Sequence, residues 1–398
     1  MVEIPKGKSP FYPGQPVPLE LFVGRQAEID RIMIRGAAQV ALGKPVAIFA
    51  QGEYGIGKSS LASYVQARAE REYGLHGIYA SLAGCRNLND MAAIILEATM
   101  RSGAFDPARN EKIRNWLAKY IGKQEIFGFT LNLEAIKKDS PHLASAQGIL
   151  SFLAEVLKRL EVKGIFLVLD EINGMASNPD FAPYIKGLID SNALSKTPVP
   201  IMLFVCGVEE KRREMIRVHP PIDRVFDVVD IGVLSPLEMA SFFRSAFDSV
   251  QMTIEDKALA YLTYYSAGFP KMMHLIGDAA YWLDKDGNID EYDGFNAVMV
   301  AAEEVGTKYV DQQVIKALKS KDYQSILAKI AKMSPISMSF MKSDIQATLS
   351  QTEKDKIDNF LQRMKKLKVL RSGDQQGEYI FNMRMVRLYL FLQSTRQK

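Results

Sequence analysis

Between an apolar run, Pro45 to Gln51, and a helix-patterned segment, Lys58 to Arg71, the chain reads Gly52-Glu53-Tyr54-Gly55-Ile56-Gly57-Lys58-Ser59, with Ser60 next. This is G-x-x-x-x-G-K-[ST] in the context that gives the pattern meaning, directly after a strand and directly before a helix. Glycines let the backbone turn so that successive N–H groups face phosphate oxygens, and the helix N-terminus adds partial positive charge. Lys58 is then placed to reach β- and γ-phosphates, and Ser59 to ligate magnesium. A loop of this kind needs a buried parallel strand behind it, so the chain is expected to be an α/β protein.

The rest of the first 235 residues fits that demand. Arg25 to Leu42 carries Ile29, Ile32, Met33, Ala37 and Val40 at helical spacing, and Gly43 is placed to stop the helix. Helix patterns follow at Leu88 to Ser102, Asp106 to Ile121 and Pro141 to Leu160. Strand patterns occur at His76 to Ala83, Ile165 to Leu169 and Ile201 to Val205, and Phe127, Phe129, Leu131 and Leu133 alternate as in a half-buried strand or hairpin. Strands alternating with helices predict a parallel sheet covered on both faces.

A second chemical signal lies in that series. Ile165-Phe166-Leu167-Val168-Leu169 delivers Asp170 and Glu171 at its C-terminal end, the edge where open α/β sheets bind ligands. Asp170 is expected to hold the magnesium ion, and Glu171 to orient or deprotonate an attacking water.

With these motifs in order, the chain resembles the AAA+ ATPases, and its sequence of modules is similar to the origin-recognition initiator and archaeal-type ATPases. Leu21-Phe22-Val23-Gly24-Arg25-Gln26 resembles the box that precedes the phosphate loop there and contacts adenine. Ser235-Pro236-Leu237 and Gly268-Phe269-Pro270-Lys271 resemble the opening of the helical lid and its second sensor. The resemblance implies ATP or ADP with Mg2+ as ligands, Phe22, Val23, Gly24, Arg25 and Lys271 as further nucleotide contacts, and Arg224 as a trans-acting arginine finger. It also implies a homo-oligomer or a partner ATPase. The chain departs from the pattern in placing Cys206-Gly207-Val208-Glu209 where a polar sensor usually follows the fourth strand, and lysine rather than arginine at the second sensor.

At 398 residues the chain is long enough for two or three domains. The expected division is an extended arm over 1–20, with five of the seventeen prolines, a nucleotide-binding domain over 21–234, a helical lid over 235–310 and a winged-helix-like unit over 311–398. In the lid, helices are predicted at Pro236 to Phe247, Glu255 to Ser266, Lys271 to Leu283 and Asp293 to Glu304. Their aromatics, Phe242, Phe243, Tyr261, Tyr264 and Tyr265, read as core. In the last unit, helices near Asp322 to Met333, Phe340 to Leu349 and Thr352 to Lys368 precede a hairpin from Val369 to Phe381.

Charge collects in that last unit. Thr352 to Lys398 holds eleven Lys and Arg against five acids, in a chain of formal net charge +4. Ile357, Phe360, Leu361, Met364 and Leu367 form one apolar stripe with Thr352 as N-cap, and Lys354, Lys356, Arg363, Lys365, Lys366 and Lys368 lie off it. A basic helix beside a hairpin points to duplex DNA, bound without strong sequence preference. The alternative is a signal-transducing NTPase switch whose last unit docks protein.

Other classes are excluded. The longest apolar runs fall far short of the roughly 18 residues needed to span a bilayer, and the opening MVEIPKGKSPFYPG lacks the pattern of a secretory signal. Two cysteines, Cys85 and Cys206, are too few for a disulfide framework or a thiolate zinc site, which places the protein in a reducing cytoplasm. Asp284-Lys285-Asp286-Gly287-Asn288 imitates a calcium loop but has Ile289 where glycine is required and Phe295 where glutamate is required. His274, on the same helix face as Lys271, reads as packing rather than as a nucleotide contact.

Overall fold

A computed structural model of the protein describes residues 6–15, 17–102, 111, 146–333 and 337–396. The expected helix Asp106 to Ile121 and the alternating segment Phe127 to Leu133 lie outside the described residues. The chain divides into two compact units, Pro16–Gly232 and a second made of Met1–Gln15 with Val233–Lys398. Among the described residues no helix is long and apolar enough to cross a membrane.

The first unit is built on five parallel strands: β1 (Val46–Gln51), β2 (Leu75–Ser81), β3 (Gly164–Asp170), β4 (Ile201–Gly207) and β5 (Asp227–Asp230). They lie in the order β2-β3-β4-β1-β5. Helices connect them. Helix α1 begins as Gln26–Ile32, passes through a π turn at Met33–Ala37 and ends as Ala38–Ala41. It is followed by α2 (Lys58–Tyr73), α3 (Leu88–Arg101), α4 (Ala146–Leu160), α5 (Phe181–Ala193) and α6 (Glu209–Val218). Every residue of β3 and β4 is buried, because both sheet faces are covered, which is why these strands read as unbroken apolar runs.

Strand parity assigns the faces. Ile78 and Ala80, Leu167 and Leu169, and Leu203 and Val205 pack with α3, α4 and α5. The alternate residues face the other way, where Gly36 of α1 lies so near Met202 and Ile48 that a Cβ would come within 2.6 Å of the methionine methyl. On that same face Gly77 meets α2: its N–H donates to Glu70 Oε1 at 2.8 Å, and a Cβ there would fall 2.1 Å from Gln66. Burying one large side chain such as Phe166 or Phe204 contributes about 2 kcal/mol, so the two-sided core fixes strand register firmly.

The second unit opens with α7 (Pro236–Asp248), closed at its start by a capping box between Ser235 and Glu238. Helices α8 (Asp256–Ser266), α9 (Pro270–Leu283) and α10 (Glu291–Val305) follow, close to their expected spans. Helix α10 then continues as π turns over Gly306–Ile315, so no break in the chain marks residue 310. The Asp284 segment is a turn: its carboxylate accepts the Gly287 N–H at 3.1 Å. It leads into β7 (Asn288–Ile289), which pairs with β6 (Thr253–Ile254). Of the lid aromatics, Phe242 and Phe243 are core, but Tyr264 is exposed beside Arg384.

Residues 6–15 are not a free extended arm. Phe11 is buried against Phe242, Phe243 and Phe247, and the Tyr12 N–H donates to His274 Nδ1 at 3.1 Å. A buried Phe and a satisfied His make this segment part of the lid core, which a sequence without periodicity could not announce.

The end of the chain runs α11 (Lys321–Ala331), β8 (Ser339–Met341), α12 (Lys342–Gln346), α13 (Gln351–Lys366), β9 (Leu370–Ser372), β10 (Glu378–Phe381) and α14 (Arg384–Arg396). Two expectations need correction. Phe340 lies in a strand, paired with Tyr379, and the helix begins only at Lys342; a three-residue strand has no period to read. The N-cap of α13 is Ser350, in a capping box with Glu353, rather than Thr352. The apolar stripe lies as expected, with Ile357, Phe360, Leu361 and Met364 buried.

Candidate nucleotide site

The phosphate loop leaves β1 at the sheet edge where β3 and β4 also end. Gln51 pairs with Gly207 and Ala50 with Cys206, while Ser81 pairs with Asp170. Gly55 and Gly57 take φ of +75° and +90°, the left-handed region that a side chain disfavours, and α2 starts at the next residue, Lys58. Gly52 passes so close to β5's extension that a Cβ would sit 2.7 Å from the Ile231 carbonyl. The Lys58 ammonium donates to the Gly52 and Glu53 carbonyls at 2.8 Å each. Burial lowers its proton affinity, and Asp170 and Glu53 are among the groups that oppose the shift.

Asp170 is buried, and its Oδ1 accepts the Glu171 N–H at 2.8 Å. By parity it shares a face with Cys206 and Tyr79, the face covered by α2, and so lies with Ser59 at that helix's N-terminus. The Tyr79 hydroxyl donates to Asp170 Oδ2, and Ser59 is among the groups that act on the same phenol. Burial, then the Asp170 carboxylate, raises the Tyr79 phenol's pKa far above its usual range. Cys206 is fully buried beside Asp170, and burial pushes its thiol well up. One buried carboxylate and one hydroxyl form a hard oxygen pair of the kind magnesium takes together with substrate phosphates. Among the described residues no group of three His, Cys, Asp or Glu could hold a metal by itself.

Glu171 sits one residue on, exposed, in the left-handed region at φ +56°, which turns its side chain away from the strand's alternation. Ser60 accepts the Val17 N–H at 3.4 Å. Phe22 stacks on Tyr64 of α2, ring centroids 4.5 Å apart. Arg25 is buried at the start of α1, and its guanidinium donates to the carbonyls of Ile56 and Gly57 inside the loop. Val23 and Gly24 are half-buried and Ile56 is buried, while Glu53 and Tyr54 are exposed, Tyr54 at 58%.

Two further expected residues are exposed. Arg224 is exposed at the end of the 3-10 turn Pro220–Arg224, ahead of β5. Lys271 is exposed in the first turn of α9, in the other compact unit. Sequence reading missed Tyr79 and the bracing role of Arg25. A phenol in the middle of β2, which reads Leu75-His76-Gly77-Ile78-Tyr79-Ala80-Ser81, was the only signal for Tyr79.

No known protein family and no curated protein matches the sequence. Solved structures do match. A Walker-type ATPase of Pyrococcus abyssi is 15% identical, with 93% of this chain and 96% of that one covered at a TM-score of 0.56. The ORC2 protein of Aeropyrum pernix, solved in ADPNP–ADP complexes, is 11% identical, with 97% and 95% covered at a TM-score of 0.60. The likeness spans nearly the whole chain and shows that it shares the fold of these two proteins.

Proposed function

We propose that the protein binds and hydrolyses ATP as an AAA+ switch and associates with DNA through a C-terminal winged helix. The observation that carries this reading is the meeting of Lys58 and Ser59, at a glycine-turned helix N-terminus, with the buried carboxylate of Asp170 on one sheet face. Backbone N–H groups from Gly52 to Ser60 cradle the phosphates, and Lys58 neutralises the β and γ groups. Ser59 and Asp170 would hold magnesium, which would supply charge neutralisation for the phosphates. Glu171 takes the proton of the attacking water, leaving ADP and phosphate.

Phe22, Val23, Gly24 and Arg25 form the adenine side, with Arg25 also holding the loop's carbonyls in place. Lys271 serves as the second sensor. Arg224, exposed ahead of β5, serves a neighbouring subunit's nucleotide in a homo-oligomer or a complex with a partner ATPase. The choice of ATP draws support from the ADPNP and ADP in the Aeropyrum pernix protein of like fold.

The DNA reading draws support from the order α11, β8, α12, α13, β9, β10, with β8, β10 and β9 forming one antiparallel sheet, the order expected of a winged helix. Lys354, Arg363, Lys366, Lys368 and Arg371 are exposed on α13 and the strand after it. Lys58→Ala tests the core of the proposal: ATP binding should be lost in a fluorescent-nucleotide titration, and undiminished binding would remove the loop from the site.

A further inference from the structure

Ser59 comes from the helix after β1 and Asp170 from the end of β3, so nothing in either motif fixes the carboxylate for its partner. Tyr79 reaches that carboxylate. It stands on β2 two residues beyond Gly77, whose backbone already abuts α2 through Glu70 and Gln66. The period of a strand keeps Tyr79 on that same face, nearer the start of α2. From there its hydroxyl donates to Asp170 Oδ2. The ring is only half-buried, so a phenol here is not required simply to fill a core.

We propose that Tyr79 is a positioning residue for magnesium, its hydroxyl fixing the Asp170 carboxylate that with Ser59 forms the donor pair. The proposal rests on reading Ser59 and Asp170 as the residues that hold the ion. A carboxylate at a strand end can rotate about two torsions. Here the Glu171 N–H fixes Oδ1 at 2.8 Å and the Tyr79 hydroxyl fixes Oδ2, and each oxygen keeps a lone pair for the ion or its water. Partners of this kind behind a metal ligand are worth roughly 10- to 100-fold in metal affinity.

Tyr79→Phe removes one oxygen and keeps the ring, so the variant should fold, which its melting curve without metal will report. The test is fluorescent-ATP binding titrated with magnesium, alongside the same titration in EDTA. In the variant the magnesium concentration for half-maximal enhancement should rise about 10-fold, with affinity in EDTA unchanged. In an Asp170→Asn background, Tyr79→Phe should add no further loss, because the hydroxyl acts through that carboxylate. A half-maximal concentration within twofold of the parent overturns the proposal. So does an equal loss of affinity with and without magnesium, which would mark the hydroxyl as general support for the loop. If the parental protein shows no magnesium dependence at all, the reading of Ser59 and Asp170 fails first and takes this one with it.

Discussion

At the scale of single residues, position in the strand decides what each acid can do. Asp170 completes β3 with its carboxylate tied down on two sides, whereas Glu171 leaves the strand at positive φ and is exposed. The first suits a fixed ion ligand and the second a base that must reach water. Glu171→Gln should therefore bind ATP with parental affinity and hydrolyse it at least 100-fold more slowly, since a positioned base contributes roughly 100- to 10,000-fold. Single-turnover phosphate release measures this, and a parental rate would show that Glu171 is not the base. Lys58, Ser59 and Asp170 were legible in the sequence because their chemistry is local: each stands at a fixed offset from a strand end or glycine turn. Tyr79 was not legible, since its role depends on the pairing of Ser81 with Asp170 and on the face of β2 that meets α2. Neither is encoded by spacing within one segment.

At the scale of elements, the helices of the lid could be read from their period and caps, but the segment that completes their core could not. Residues 6–15 contribute two aromatics, Phe11 and Tyr12, a backbone N–H to His274 and an ion pair from Lys6 to Asp284, with no repeat to betray them. Opposite them, Gly277 is the complement: a Cβ there would fall 2.3 Å from the Phe11 ring. Phe11→Ala should destabilise the protein by about 3 kcal/mol, the usual cost of emptying a buried aromatic site, as measured by chemical denaturation. A change below about 0.5 kcal/mol would mean that the segment is not part of the core.

The same contact has a pH dependence. Burial lowers the His274 pKa to about 4, below the ordinary value of about 6.5. The unfolded chain therefore binds the proton more tightly than the folded one. The stability that the neutral ring contributes is complete above about pH 6.5 and is lost as pH falls towards 4. His274→Gln keeps a side-chain acceptor that cannot titrate in this range. Its melting temperature should fall less steeply than the parent's between pH 6.5 and 4, and identical slopes would exclude His274 as the source.

At the scale of the whole chain, the second unit binds its C-terminal module to the lid through α14. Arg384 reaches the Tyr264 carbonyl, Tyr389 donates to Asp311 at 2.9 Å, and Arg396 pairs with Glu303 at 2.8 Å. This module includes the basic helix α13. Its lysines are not equivalent, however. Lys365 is half-buried over the Tyr379 ring, and Lys356 is paired with Asp322 at 2.5 Å, whereas Lys366, Lys368 and Arg371 are exposed. Lys368 has φ +57°, a conformation that asparagine tolerates better than alanine. The informative variant is therefore Lys366→Ala, Lys368→Asn and Arg371→Ala together, with Lys365 left in place. Phosphate contacts act by releasing counterions at about 0.9 per charge neutralised, so the slope of log affinity against log salt should flatten by up to about three. Binding should weaken similarly across duplex sequences, while ATP affinity persists. If the parental protein shows no salt-sensitive affinity for duplex DNA with ATP, with ADP or without nucleotide, the winged helix does not read DNA, and the module serves as the protein-docking arm of an NTPase switch.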